Sequence, residues 1–133
     1  MCKVGDIIVV KEYTHNGQVL DKHSFVVLSD ESGTIQGLDY DIICNVMSSF
    51  KDNAHKTKKL RYPGNFPVTY NDVQIKTGGN SKDGFIKAEQ LYYFKKDTLD
   101  YIVIGTINEE VFNLLVNFIE NLDVELSYVI DNL

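Results

Sequence analysis

The sequence predicts a mainly β protein, a small antiparallel β-barrel with a C-terminal helix. Three observations carry this. Short runs of β-branched and aromatic residues recur, separated by Gly, Asn and Asp turn signals. One window alone has strong helical periodicity, through Val111, Leu114, Leu115, Phe118 and Leu122. The 133 residues, 44% hydrophobic and 24% charged, suit a single globular domain with its own core.

The elements follow in order. Residues 4–11 (VGDIIVVK) read as a strand opened by a glycine. Residues 12–22 are polar, with Asn16-Gly17 as a turn signal. Residues 24–28 (SFVVL) form a second strand, pairing with the first, and 30–37 form a loop rich in Ser, Asp and Gly. Residues 40–47 (YDIICNVM) are apolar on both faces in part and read as a central strand. Residues 48–65 read as a long loop ending in Tyr62-Pro63-Gly64, which in a small domain is either functional or disordered. Residues 66–75 give one or two short strands broken at Asn71-Asp72, and 77–84 a flexible connection. Residues 101–106 (YIVIGT) are the last strand. Asn108 then caps the helix, with Glu109 and Glu110 at its positive end and Phe112 and Ile119 widening its apolar face. In the tail, 123–133, Leu126, Val129 and Ile130 suggest a last short helix.

Residues 83–94 (DGFIKAEQLYYF) alternate: Phe85, Lys87 and Glu89 out, Ile86 and Ala88 in. Residues two apart in a strand share a face, about 7 Å apart, so Lys87 and Glu89 form a charged pair with Gln90 just beyond. A single helical turn is expected over 89–91. On its own this is a common surface ion pair of little energetic worth.

Charge is unevenly spread. The whole chain is −6, but residues 51–61 hold five basic residues and one acid, leaving −10 for the remainder. The run comprises Lys51, Lys56, Lys58, Lys59 and Arg61, with Tyr62 and Phe66 beside it. Lysines meet phosphates and aromatic rings stack on bases, so the run suits single-stranded RNA, although a solvated charged loop has the same composition.

Several chemistries are excluded by pattern. Gly78-Gly79 lacks the following Lys and helix of a phosphate loop. His15, His23, His55, Cys2 and Cys44 have no metal-ligand spacing, so neither metal nor cofactor is expected. No Ser stands in a nucleophile elbow. The two cysteines make no disulfide framework, and Cys44 reads as a small buried residue. No leader-like segment opens the chain and no apolar stretch is long enough to cross a membrane, so a cytoplasmic protein without membrane contact is expected.

Four segments occur in a recognisable order. They are Lys3-Val-Gly-Asp-Ile7, His23-Ser-Phe-Val-Val-Leu-Ser-Asp30, Ile43-Cys-Asn-Val-Met-Ser-Ser49 and Asp83-Gly-Phe-Ile-Lys-Ala-Glu-Gln90, followed by the closing strand and helix. This colinear set resembles the MazF/Kid/PemK toxins of bacterial toxin–antitoxin systems, with residues 1–133 as one domain. The resemblance implies a dimeric SH3-like barrel that cuts single-stranded RNA without metal. The 2′-hydroxyl attacks, leaving a 2′,3′-cyclic phosphate and a 5′-hydroxyl, and an antitoxin protein neutralises the enzyme. Lys87 and Glu89 match an Arg and an Asp that serve as acid and base in one branch, and His15 lies in the loop where that branch carries a His. In the other branch an Arg-Pro pair and a Thr are central; here those positions hold His23, Ser24 and Met47, with Ser48 adjacent. Two readings follow. Either Lys87, Glu89, His15 and His23 form the acid–base set, with Lys51, Lys56, Lys58, Lys59, Arg61, Tyr62, Ser48 and Gln90 binding RNA, or cleavage has been lost and the barrel is an RNA- or protein-binding module.

Overall fold

A computed structural model describes residues 1–75 and 82–133. The 77–84 connection therefore lies mostly outside the described residues. The described chain is mainly antiparallel β, curled into a half-barrel, with two helices.

The first strand, β1 (Asp6–Val10), pairs antiparallel with β4 (His23–Ser29), Ile7 opposite Val26 and Val10 opposite His23. Between them β2 (Tyr13–His15) and β3 (Gln18–Leu20) make a tight hairpin. Its turn is the anticipated Asn16-Gly17 pair, with φ of 53° and 75°. Both residues lie in the left-handed region, the geometry that matches strand twist. A second hairpin, β5 (Gly33–Ile35) and β6 (Leu38–Tyr40), occupies most of the expected 30–37 loop. Its turn is Gln36-Gly37, and Gln is not a usual left-handed residue, so the sequence carries half the signal.

Strand β7 (Ile42–Ser49) is central, as expected. One edge pairs with β4. The other is shared: its first half pairs with β11 (Gln90–Phe94) and its second half with β10 (Gly84–Lys87). After β7 the chain forms α1 (Asn53–Leu60), not the expected uninterrupted loop. Asp52 caps it, Oδ1 accepting from the His55 N–H at 2.7 Å, and Lys58 and Lys59 sit in its last turn. The helix buries no residue, so it has no apolar period to detect; the cap and the terminal lysines were its only signals. Asn65 Nδ2 donates to the Lys59 carbonyl at 2.8 Å and ties down its end.

Strand β8 (Asn65–Val68) pairs with β10, and β9 (Val73–Ile75) pairs with β12 (Tyr101–Ile107). A 3-10 turn, Tyr70–Asp72, joins β8 to β9, so the two far edges of the sheet are linked along the chain. β12 returns to pair with β1. The helix α2 (Glu109–Glu120) follows, starting where Asn108 marks it. The Asn108 side chain does not cap, however; Nδ2 donates to the Asn71 carbonyl at 3.0 Å. Leu115 is fully buried, whereas Leu114, placed on the apolar face by spacing, is 60% exposed. The tail is not helical. β13 (Ser127–Val129) joins β11 in parallel, and the Ser127 N–H donates to the Glu89 carbonyl at 2.8 Å. So short a run fits either period, and the open edge of β11 decides.

Both faces of the sheet are buried. One core holds Ile8, Phe25, Cys44, Tyr92 and Phe94 beneath the β2–β3 hairpin; the other holds Val26, Ile86, Ile107 and Leu115 beneath α2. Phe25 is fully buried, worth about 1.5–3 kcal/mol for such a side chain.

The strand read through 83–94 is bent. Ile86 pairs with Met47, but Tyr92 pairs with Cys44, so six residues advance against three. The excess forms a bulged turn at Ala88 and Glu89, and the expected helical turn over 89–91 does not occur. Asn45, fully buried opposite the bulge, fills it. Its Nδ2 reaches the Gln90 carbonyl at 2.8 Å and those of Lys87 and Ala88 at 3.3 and 3.4 Å.

Candidate functional site

A groove of about 720 Å³ opens on one side of the half-barrel. Its position follows from the strand pairing. Ser24 of β4 lies opposite Met47 of β7, and Phe85 of β10 opposite Ser48, so the start of β4, the end of β7 and β10 run side by side. Helix α1 leaves the end of β7 and stands at the rim. Phe50 stacks on Phe85 with ring centres 5.3 Å apart, and the His55 ring meets both edge-on at 6.3 Å.

Charge distinguishes this groove. Among the described residues Lys22, Lys51, Lys59, Lys82 and Lys87 line it with His23 and His55, and no Asp or Glu does. Five lysines therefore converge on one concavity of a chain with net charge −6. Low-dielectric walls focus such a field outward and raise the local concentration of anions. Ser48 also lines the groove.

The two histidines are held differently. His23 Nδ1 lies 3.2 Å from the Asp21 carbonyl, which can only accept, so Nδ1 carries the proton. In the neutral ring Nε2 then holds a lone pair. His55 Nδ1 accepts from the Lys51 N–H at 3.0 Å, so in its neutral ring Nε2 carries the proton.

The remaining anticipated site residues lie elsewhere. Glu89 does not share an exposed face with Lys87. It sits in the bulged turn, 6% exposed, because the strand breaks between the two. No ion pair within 4.0 Å joins it to Lys87 among the described residues. Its carboxyl packs against Gly64, where a Cβ would collide with Oε2, and Oε2 has no hydrogen-bond partner among the described residues. Burial pushes the Glu89 carboxyl above its ordinary value, opposed by its own backbone N–H and by the Lys87 charge. His15 ends the first strand of the hairpin with its ring 5.6 Å from Tyr92, whose hydroxyl lies 3.3 Å from Nδ1 and 3.4 Å from Gln90 Oε1. Burial, with the nearby Tyr13, Asp131 and Glu89, holds the Tyr92 phenol well above its ordinary range. His15 and Gln90 thus belong to a buttress of the hairpin and do not line the groove.

Of the basic run, Lys51 and Lys59 line the groove, while Lys56, Lys58, Arg61 and Tyr62 are exposed outside it. Lys56 Nζ sits 5.8 Å from the Phe50 ring centre. Nothing in the sequence pattern places Lys22, Lys82 and His55 in a groove; His55 falls in the stretch read as a loop, because α1 buries no residue and so shows no apolar period. No group of His, Cys, Asp or Glu that could hold a metal occurs among the described residues, and no helix among them is long and apolar enough to cross a membrane. The chain matches no family model and no curated protein.

Proposed function

We propose that this groove binds single-stranded RNA and that the protein is a metal-independent endoribonuclease. The observation that carries the reading is the lining itself: among the described residues, five lysines and two histidines with no carboxylate. Such a surface suits a flexible polyanion. His23 Nε2 takes the proton from a 2′-hydroxyl, whose oxygen attacks the adjacent phosphorus. Lys87 offsets the charge of the phosphorane and gives a proton to the departing 5′ oxygen as the P–O5′ bond breaks. A 2′,3′-cyclic phosphate and a 5′-hydroxyl remain. In this scheme Glu89 and His15 support the fold and do no chemistry.

The likeness of the four colinear segments to the MazF/Kid/PemK toxins supports the same reading. It adds an SH3-like barrel, a second copy of the chain and an antitoxin as partners, and action on cytoplasmic RNA. Incubating purified protein with single-stranded RNA in EDTA, then determining fragment ends by mass spectrometry, tests it. Cyclic-phosphate and 5′-hydroxyl ends are expected; intact RNA counts against cleavage. One observation favours a second reading. Two of the four anticipated catalytic residues, Glu89 and His15, lie outside the groove. A barrel that holds RNA without cutting it would show salt-sensitive affinity and intact RNA.

A further inference from the structure

We infer that His55 is a phosphate ligand of the groove, acting as a fixed hydrogen-bond donor through Nε2–H. This rests on the reading of the groove as an RNA site and deepens it.

The argument begins with the Lys51 N–H. It donates to His55 Nδ1 at 3.0 Å, while the His55 N–H donates to Asp52 Oδ1 at 2.7 Å. These two bonds fix the start of α1 and, with it, the imidazole. A ring nitrogen that accepts a backbone N–H cannot itself carry a proton in the neutral ring, so the proton sits on Nε2. Phe50 and Phe85, stacked on each other, pack together against one side of the ring, each at 6.3 Å and steeply inclined to it. Nε2 is the polar atom left over, and no partner for it occurs among the described residues. The ring lines the groove beside Lys51 and Lys59.

A donor N–H in a groove that lysines also line matches a phosphodiester, which offers two anionic oxygens and no donor. His55 differs from His23 in this. His23 presents a lone pair, suited to taking a proton, whereas His55 presents a hydrogen, suited to binding an oxygen anion. The two rings therefore divide the work, one moving the proton and one holding the phosphate.

Two substitutions separate donor from shape. His55→Asn puts an oxygen where Nδ1 was and keeps the Lys51 contact, but removes the outer N–H. His55→Gln puts an amide N–H near the Nε2 position. The probe is a short 2′-O-methyl RNA, which cannot be cut, titrated by fluorescence anisotropy with melting curves as the folding control. Losing one hydrogen bond to a charged oxygen should weaken binding about tenfold in His55→Asn, with most of it regained in His55→Gln. Long-range proton–nitrogen spectra should show opposite tautomers for His55 and His23. Asn binding as tightly as the parent, or Gln as weak as Asn with unchanged melting, overturns the donor assignment while leaving the groove reading intact. A parent protein with no salt-sensitive affinity for the probe instead overturns the groove reading, and this inference with it.

Discussion

Lys59 and Lys58 are neighbours on α1, yet only Lys59 lines the groove. Changing either to Gln removes one positive charge from the molecule, so the net charge falls equally. Any difference between the two variants must come from local contact with the ligand. Each phosphate neutralised on a single strand contributes about 0.7 to the slope of log affinity against log salt. Four of the five groove lysines, Lys22, Lys51, Lys59 and Lys87, each engaging one phosphate, would give a slope of about −2.8. Lys59→Gln should flatten that slope by about 0.7, which at 0.15 M salt against a 1 M reference is about a fourfold loss of affinity. Lys58→Gln should leave the slope unchanged. Anisotropy titrations of uncut 2′-O-methyl RNA across a salt series read both quantities. Equal slope changes in the two variants would mean that the ligand senses only the overall field, and the groove would lose its claim.

Two further predictions concern the bulge that separates Lys87 from Glu89. The folded-state Glu89 carboxyl lies above its ordinary 4.5, so the folded protein keeps a proton that the unfolded chain has released. Stability is then lost as pH rises from about 4.5. Glu89→Gln should melt higher than the parent at pH 7, with the gap closing below pH 4.5, and should still cleave RNA; a gap that widens in acid would reverse the sign. Asn45→Ala strips the part-buried Gln90 carbonyl of the 2.8 Å partner that the fully buried Asn45 supplies, at a cost of about 1 kcal/mol. Urea unfolding should show a lower midpoint at constant slope, and an unchanged midpoint would mean that Asn45 does not hold the bulge.

The strands were legible because their residues are β-branched and aromatic and their partners lie on both sides. Ile7–Val10, Phe25–Leu28 and Ile42–Val46 announce themselves locally, and so does the Asn16-Gly17 turn. Helix α2 was legible from its apolar period, though its spacing also admitted Leu114, which faces solvent. Helix α1 was not legible, because Asn-Ala-His-Lys-Thr-Lys-Lys-Leu has no apolar face; its order comes from a cap and from Asn65 at its end. The charged pair failed for a similar reason. Alternation through 85–89 assumes an unbroken strand, and only the partner strand shows that three extra residues must be absorbed there. The groove was legible in part. Lys51 and Lys59 were visible in the basic run, but Lys22, just before β4, and Lys87, at the end of β10, reach the same place from segments distant in sequence, which no local pattern reports.

The account stands on the chemistry residing in this groove. Single variants His23→Gln and Lys87→Gln, matched to the parent by melting temperature and circular dichroism, provide the most direct test when RNA cleavage rates are measured in EDTA. General acid–base groups contribute about 10²–10⁴-fold, so each variant should cut at least about a hundredfold more slowly than the parent. Parent-like rates in both would place the chemistry outside the groove and contradict the account.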